Sequence, residues 1–446
     1  MRPARVWKQL LLGSVGTGVT RFVNRRSIAT AHRLASFASS PEAVRSIQLW
    51  KLRRTLRHAA RRSAFYRERF RRHGIDVEAI TEPGQLGDLF TTAEDLAEQP
   101  AQALLCREPQ VIYETTGTTS RRKTVYYSHR EVDEATSLMA VGLYHIGVRP
   151  DDRVLSSQDY HYWNAGAWFA QALTKIGALA ACPGGIAPAE VYRRLPDHRY
   201  NVLIGDVSWL VRLSEIAEEH GAFQMKLVLG CSERLPERSR EYIEKVWGTR
   251  MYMCYGATEG AGGMECRFTN GYHLNEFSYA FEIVDPDPAG YGELVFTTLD
   301  RTTMPLIRYR IGDVARLVPE TCPCGIVTQR LSKLRGRTDE IVTLGSEGVN
   351  PAIFETLMDE IPEVSGNWQV AIRHEQHKDV CELRLELDHG DIDTASRRFE
   401  DALRTRFDTL WKHHQLGLFE LRFKEVPRGS MRVERKLRRL VDEREP

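Results

Sequence analysis

A chain of 446 residues, 42% of them hydrophobic, can bury a large core and exceeds the usual size of one domain, so two unequal domains are expected. Its 62 Lys and Arg against 60 Asp and Glu leave a net charge of +2, which gives no overall attraction to nucleic acid from which a partner could be argued. Eight scattered cysteines, at 106, 182, 231, 254, 266, 322, 324 and 381, exclude the dense framework of a small secreted disulfide scaffold and suit a reducing cytoplasm.

Taken in chain order, residues 1–26 carry basic side chains before a short apolar run at 10–12, which is Gly-rich and soon interrupted by Arg21, Arg25 and Arg26. Neither a cleaved signal nor stable membrane insertion is expected from it, and a peripheral amphipathic lead is the alternative. Residues 41–74 read as one helix: Leu49, Leu52, Leu56 and Ala59 recur at helical spacing among arginines, with Gly74 as the stop. Such a basic helix is a solvated face packed on the core or an RNA-binding arm, and the first is the ordinary outcome.

From about 110 to 300, short apolar runs alternate with helical stretches, as in NVLIGD (201–206) before SWLVRLSEIAEEHG and MKLVLG (225–230) before PERSREYIEKVWG. The pattern predicts an α/β fold with a largely parallel sheet and crossover helices. Beyond 336 the texture changes to WQVAIR, VCELRLEL, a helix near 391–408 and LFELRFKEV, a small α+β unit. The expected division is a helical lead over 1–75, a large domain over 76–335 and a small C-terminal domain over 336–446.

Four segments carry chemistry. YETTGTTSRRK (113–123) sets Thr115, Thr116, Gly117, Thr118, Thr119 and Ser120 between two strand-like runs. Small hydroxylated residues around a glycine let amides and hydroxyls converge on a polyphosphate, and Arg121, Arg122 and Lys123 add counter-charge. The spacing is not GxxxxGK[ST], so a Walker-type site is not supported. The second segment, Tyr255, Gly256, Ala257, Thr258 and Glu259, follows the apolar run MYMC and reaches the sheet edge where open α/β folds place ligands. Glu259 there suits Mg²⁺ beside phosphate oxygens. The third, PLIRYRIGD (305–313), ends in Asp313, placed to accept both ribose hydroxyls of a nucleotide. The fourth, LRGRTDE (334–340) followed by GVNP (348–351), reads as a hinge. Separately, Cys266, His273, Cys322 and Cys324, in ECRFTNGYH and TCPCG, match the three-thiolate, one-imidazole donor set of a closed structural Zn²⁺ site.

These segments, in this order and spacing, resemble the adenylate-forming superfamily, and the phenylacetate-CoA ligase branch in particular. The likeness also takes in LRRTLRHAARRSAFYRERF (52–70), HYWNAGAWFAQALTKIGALAACPGG (161–185), SERLPERSREYIEKVWG (232–248) and GRTDEIV (336–342), and so covers nearly the whole chain. The resemblance implies a small mobile C-terminal lid and ATP-dependent adenylation of a carboxylic acid. It implies that residues 115–120 cradle the β- and γ-phosphates and that Tyr255, Gly256, Ala257 and Thr258 flank adenine and the α-phosphate. Glu233 stands in the family's Glu-x-Leu position, Arg337 would assist Asp313, and Asp339 would be the pivot. Lys436, in RKLRR, matches the family's closing catalytic lysine and would act with Glu259 and Thr258.

By the same resemblance His161, Tyr162, Trp163 and Asn164, with Trp168, lie near the acid. Their rings and amide suit a flat aromatic substrate, although Trp163 and Trp168 also suit a core. The chain departs from the family in Ser120 for a glycine, Arg121 and Arg122 for Lys-Pro, and Cys231 and Ser232 for a glycine pair. The implied cofactors are ATP, Mg²⁺ and structural Zn²⁺, with coenzyme A first among the acceptors; an amine or a carrier-protein thiol is the alternative, and a non-catalytic nucleic-acid-binding protein on this fold is the rival of another class. A homodimer is compatible with a sequence that sets no oligomeric state.

Overall fold

Serine and proline decide how the first helices begin and end. The computed structural model describes residues 23–37, 40–115, 123–233, 235–338, 342–344, 347–375, 378–431 and 439–444. Residues 1–22, Thr116, Gly117, Thr118, Thr119, Ser120, Arg121, Arg122, Asp339 and Lys436 lie outside the described residues. Helix α1 (Pro41–Arg62) starts at Ser40, whose hydroxyl accepts from the Ala43 amide, with proline at the first helical position.

The single helix expected over 41–74 is instead two. Ser63 takes an extended backbone, caps α2 (Ala64–Arg72) by accepting from the Tyr66 amide, and donates to the Ala103 carbonyl at 2.7 Å. A serine that can satisfy helix-end donors favours a break over continuation. α1 buries Val44, Ile47, Leu52, Leu56 and Ala59. The buried Lys51 bonds the Phe277 carbonyl at 2.7 Å and Asp300 at 2.6 Å, and Thr55 bonds the Leu299 carbonyl at 3.1 Å. Lys51 and Thr55 thus tie this helix to the chain at Phe277 and at Leu299–Asp300.

Contact density divides the chain into two compact units, Met1–Arg234 with Ile243–Lys333, and Leu235–Tyr242 with Leu334–Pro446. In the first, β1 (Val111–Glu114) and β2 (Thr124–Tyr127) form an antiparallel hairpin with Glu114 opposite Thr124. Helix α3 (His129–Ile146) opens with a capping box between Ser128 and Glu131. Then β3 (Arg153–Ser156), α4 (Ala165–Ile176), β4 (Leu179–Ala181), α5 (Pro188–His198), β5 (Val202–Asp206), α6 (Val207–His220), β6 (Leu227–Cys231), α7 (Glu237–Trp247) and β7 (Met251–Ala257) follow.

Their strands are parallel, in the order β4-β3-β5-β6-β7. Every residue of β5 and β6 is buried, as unbroken apolar runs with helices on both faces require. The sheet continues antiparallel through β8 (Gly260–Met264) and β9 (Tyr272–Leu274). A separate antiparallel sheet is built from β10 (Tyr279–Val284), β11 (Gly292–Thr298) and β12 (Tyr309–Ala315). The short β13 (Leu317–Val318) and β14 (Arg330–Leu331) return to extend the first sheet beside β9.

The second unit holds β15 (Gly336–Arg337), a β16 (Val342–Leu344) and β17 (Glu347–Val349) hairpin, and α8 (Pro351–Met358), capped by Asn350. The long antiparallel pair β18 (Val364–Glu375) and β19 (Lys378–Leu387) is followed by α9 (Ile392–Arg406), α10 (Asp408–Gln415), β20 (Phe419–Glu425) and β21 (Leu440–Asp442). β20 joins β19 and β21 joins β18, both in parallel. Phe354, Trp368, Phe399 and Phe419 lie at its centre. The sequence boundary near 336 misses one feature: Leu235–Tyr242 groups with this unit, and Arg238 there donates to the carbonyls of Ile361, Pro362 and Val364.

Candidate active site

The hairpin β1–β2 brings Thr115 and Lys123 together at the base of the threonine loop. The Thr115 amide donates to the Lys123 carbonyl at 3.0 Å, and the Lys123 amide donates to Thr115 Oγ1 at 3.3 Å. From this base Lys123 Nζ reaches Glu259 Oε1 at 2.5 Å. The Tyr309 hydroxyl donates to the same oxygen at 2.8 Å and accepts from Lys123 at 3.5 Å. Side-chain exposure of 16% for Lys123 and 5% for Glu259 makes this a buried pair, whose rupture by deleting one partner costs about 3–5 kcal/mol in comparable cases.

Four residues after Tyr309 on β12, Asp313 is buried and accepts from the Tyr255 hydroxyl at 2.6 Å. Tyr255 lies two residues before the end of β7, and the turn that follows the strand carries Glu259. Lys123, Glu259 and Tyr309 therefore form one contact group and Tyr255 with Asp313 another; β12 supplies one member to each, Tyr309 and Asp313. The space beside Gly256 is open: a Cβ built there meets no protein atom within 4 Å. Thr258 offers its carbonyl to the Tyr127 hydroxyl at 3.0 Å. The Tyr127 ring, in turn, lies 3.9 Å beneath the buried guanidinium of Arg301.

Tyr309, Tyr127 and Arg301 are residues that motif reading missed. The spacing of Tyr309 from Asp313 carries no signal, because the register of β12 shifts between Arg310 and Val314 and Gly312 takes a φ of 87°, which breaks the two-residue alternation of the strand. Arg301 and Tyr127 come from segments with no pattern linking them. Behind the site, fully buried Tyr66 donates and accepts among Thr91 Oγ1 and the Ile307 amide, which fixes the chain entering β12.

The loop after β3 lies beside the threonine-loop base, with the Glu114 amide donating to the Tyr162 carbonyl at 2.8 Å. His161 and Tyr162 are exposed, the His161 and Trp163 rings are 4.9 Å apart, and Asn164 is buried at the start of α4. Trp168 belongs to the core, edge-on to Tyr113 and Tyr127, with its indole N–H on the Tyr113 hydroxyl at 3.2 Å. The loop's shape depends on Gly166, where a Cβ would stand 2.1 Å from the Asp159 carbonyl oxygen. Gly166→Ala is expected to lower stability by about 1–3 kcal/mol and to displace residues 159–164, read as a lower Tm in calorimetry.

At the adjoining strand ends, Gln158 donates to Asp206 at 2.8 Å and is approached by Ser232 at 3.4 Å. Ser232 holds a φ of 67°, a left-handed conformation that favours the glycine usual in the resembling family. Glu233 is engaged at the start of α6, its carboxylate accepting from the Ser208 amide at 2.7 Å and the Ser208 hydroxyl at 2.9 Å. Its role here is to satisfy helix-end donors. Arg337 belongs to the second unit, on β15.

Cys266, His273, Cys322 and Cys324 converge, with all four ligand atoms within 4.8 Å of one another. Cys266 Sγ lies 3.6 Å from Cys322 Sγ, and His273 Nε2 lies 3.2 Å from Cys324 Sγ. A tetrahedron with zinc–sulfur bonds of about 2.3 Å has sulfur–sulfur edges of about 3.8 Å, so the donor set fits zinc. The Ile326 amide donates to Cys324 Sγ at 3.4 Å, which makes the CPCG turn a knuckle. Burial pulls the His273 imidazole down to about 4, so it stands in the neutral form that ligates metal.

The sequence profile of AMP-binding enzymes matches residues 32–294 and that of their C-terminal domain matches 347–444, and the chain belongs to the AMP-binding enzyme family. Within it, the chain is similar to the phenylacetate-coenzyme A ligase of Thermus thermophilus, with 28% identity over 366 residues, 78% of this chain and 82% of that protein. Its likeness to the Pseudomonas putida enzyme of the same name is 27% over 367 residues, 78% and 83% of the two chains. The fold is that of a solved 2-hydroxyisobutyryl-CoA ligase in complex with its acyl-AMP, with a TM-score of 0.73, 21% identity, and 92% and 91% of the chains covered.

Proposed function

We propose that this protein activates a carboxylic acid with ATP, giving an acyl-adenylate and pyrophosphate, and then passes the acyl group to coenzyme A with release of AMP. The observation that carries the reading is that β12 supplies Tyr309 to the buried Lys123–Glu259 pair at the threonine-loop base and Asp313 to Tyr255, on the strand that runs into the Glu259 turn. A polyphosphate meets amides and cations there, a ribose meets Asp313, and an adenine has room along the 255–258 turn.

In the first step a carboxylate oxygen attacks the α-phosphorus and the bond to the pyrophosphate oxygen breaks. Lys123 now neutralises Glu259, and triphosphate oxygens offer that ammonium a second set of partners. Glu259 is the hard oxygen donor that would hold Mg²⁺, whose chemistry there is to neutralise charge on the leaving pyrophosphate. Lys436, from the closing motif, would bridge the carboxylate and the α-phosphate, and a pivot at Asp339 would withdraw it before the thiol enters. His161, Tyr162, Trp163 and Asn164 are the proposed acid-side residues, and their aromatic character favours an aryl or arylacetic acid.

Pyrophosphate release measured over aryl, fatty and amino acids, with and without coenzyme A, tests the reading. Acid-dependent release, with AMP and thioester formed only when coenzyme A is present, is the expected result. No release with any acid, together with no ATP binding, would overturn it. Lys436→Ala is expected to slow adenylation by at least about 100-fold while ATP still binds. Full activity of that variant would remove Lys436 from its role.

Cys266, His273, Cys322 and Cys324 are proposed to hold one structural Zn²⁺. Metal analysis should find one zinc per chain, and Cys322→Ser should lower the Tm by several degrees. A metal-free protein of unchanged stability would dismiss the site.

A further inference from the structure

We infer that Arg330 is the outer positioning residue and counter-charge of the Cys266–His273–Cys322–Cys324 centre. The inference rests on the zinc reading above and adds a residue that is no ligand. On the β9–β14 ladder Arg330 stands directly opposite His273, so the two side chains share one face of the sheet. Arg330 is 4% exposed. Its Nη1 donates to the Asn270 carbonyl at 2.8 Å and its Nη2 to the Glu320 carbonyl at 2.8 Å.

Those two carbonyls belong to the two loops that supply the ligands. Asn270 lies between Cys266 and His273, and Glu320 lies two residues before Cys322. One planar guanidinium thus spans both arms of the cluster, a task suited to its fixed fork of donors.

Charge points the same way. Three thiolates and a neutral imidazole around Zn²⁺ carry a net charge of −1, and a buried uncompensated charge is costly. Arg330 supplies one positive charge from a buried position in contact with both loops. Outer partners of this kind typically change metal affinity by about 10–100-fold when removed.

The test uses the zinc-loaded full-length protein and follows zinc transfer to a chromogenic chelator. Arg330→Gln, which loses the charge and the two-armed clamp, should release zinc at least about tenfold faster than the parent. Arg330→Lys, which retains the charge alone, should fall between them. Release from both variants at the parent rate would overturn the assignment of Arg330. Equal acceleration by lysine and glutamine would overturn the counter-charge and leave only the clamp. Should Arg330→Gln fail to fold, the lysine variant decides, and the parent rate in it rejects the inference. A parent protein without stoichiometric zinc rejects the zinc reading itself, a result distinguishable from all of these.

Discussion

Glu259→Gln is expected to slow acid-dependent pyrophosphate release by about 100-fold or more. Glutamine keeps the shape and still accepts from the Tyr309 hydroxyl, but it removes the charge that Lys123 and a bound cation both need. The buried Lys123 ammonium loses its charge partner, so a stability loss of about 3–5 kcal/mol should accompany the loss of rate. Raising magnesium should restore little of the rate, because the missing element is the ligand. Tyr309→Phe separates the contributions: it deletes one hydrogen bond to Glu259 and should cost only about 5- to 10-fold. Steady-state kinetics at several magnesium concentrations, with melting curves for each variant, would reveal the difference; a fully active Glu259→Gln enzyme would detach this residue from catalysis.

Asp313→Ala should raise the KM for ATP by about 30- to 100-fold, the worth of one or two hydrogen bonds to a carboxylate. A buried carboxylate aimed at hydroxyls discriminates most strongly against an analogue that lacks them. The sharper comparison is therefore between ATP and its 2′,3′-dideoxy analogue. The parent should favour ATP strongly, and Asp313→Ala should treat the two nearly alike. Tyr255→Phe leaves the carboxylate in place but removes its 2.6 Å donor, and should produce a smaller loss that retains the preference for ATP. Persistence of the full preference in Asp313→Ala would place the ribose elsewhere.

Much of this site was legible because its chemistry lies in contiguous segments. Threonines around Gly117, a glutamate after YGAT and an aspartate ending PLIRYRIGD each declare a local task, and the apolar runs at β5 and β6 declare a buried parallel sheet. The helix over 41–74 was legible in its apolar face and not in its break, because a serine inside a helical period becomes a cap only when a neighbour such as Ala103 offers it a second bond. Trp168 read equally as pocket or core, and packing against Tyr113 and Tyr127 settled it as core.

By itself, the sequence determined the fold class, the order of the proposed nucleotide motifs and the membership of the Cys/His cluster, since periodicity and residue chemistry are local properties that survive without coordinates. Tertiary structure alone decided which side chains complete them. Tyr309 reaches Glu259 across 50 positions, Lys123 crosses 136 positions to the same carboxylate, and Arg330 bridges two loops. Each of these contacts joins segments far apart in the chain, and a partner brought in by tertiary packing leaves no mark in the spacing of residues along the sequence.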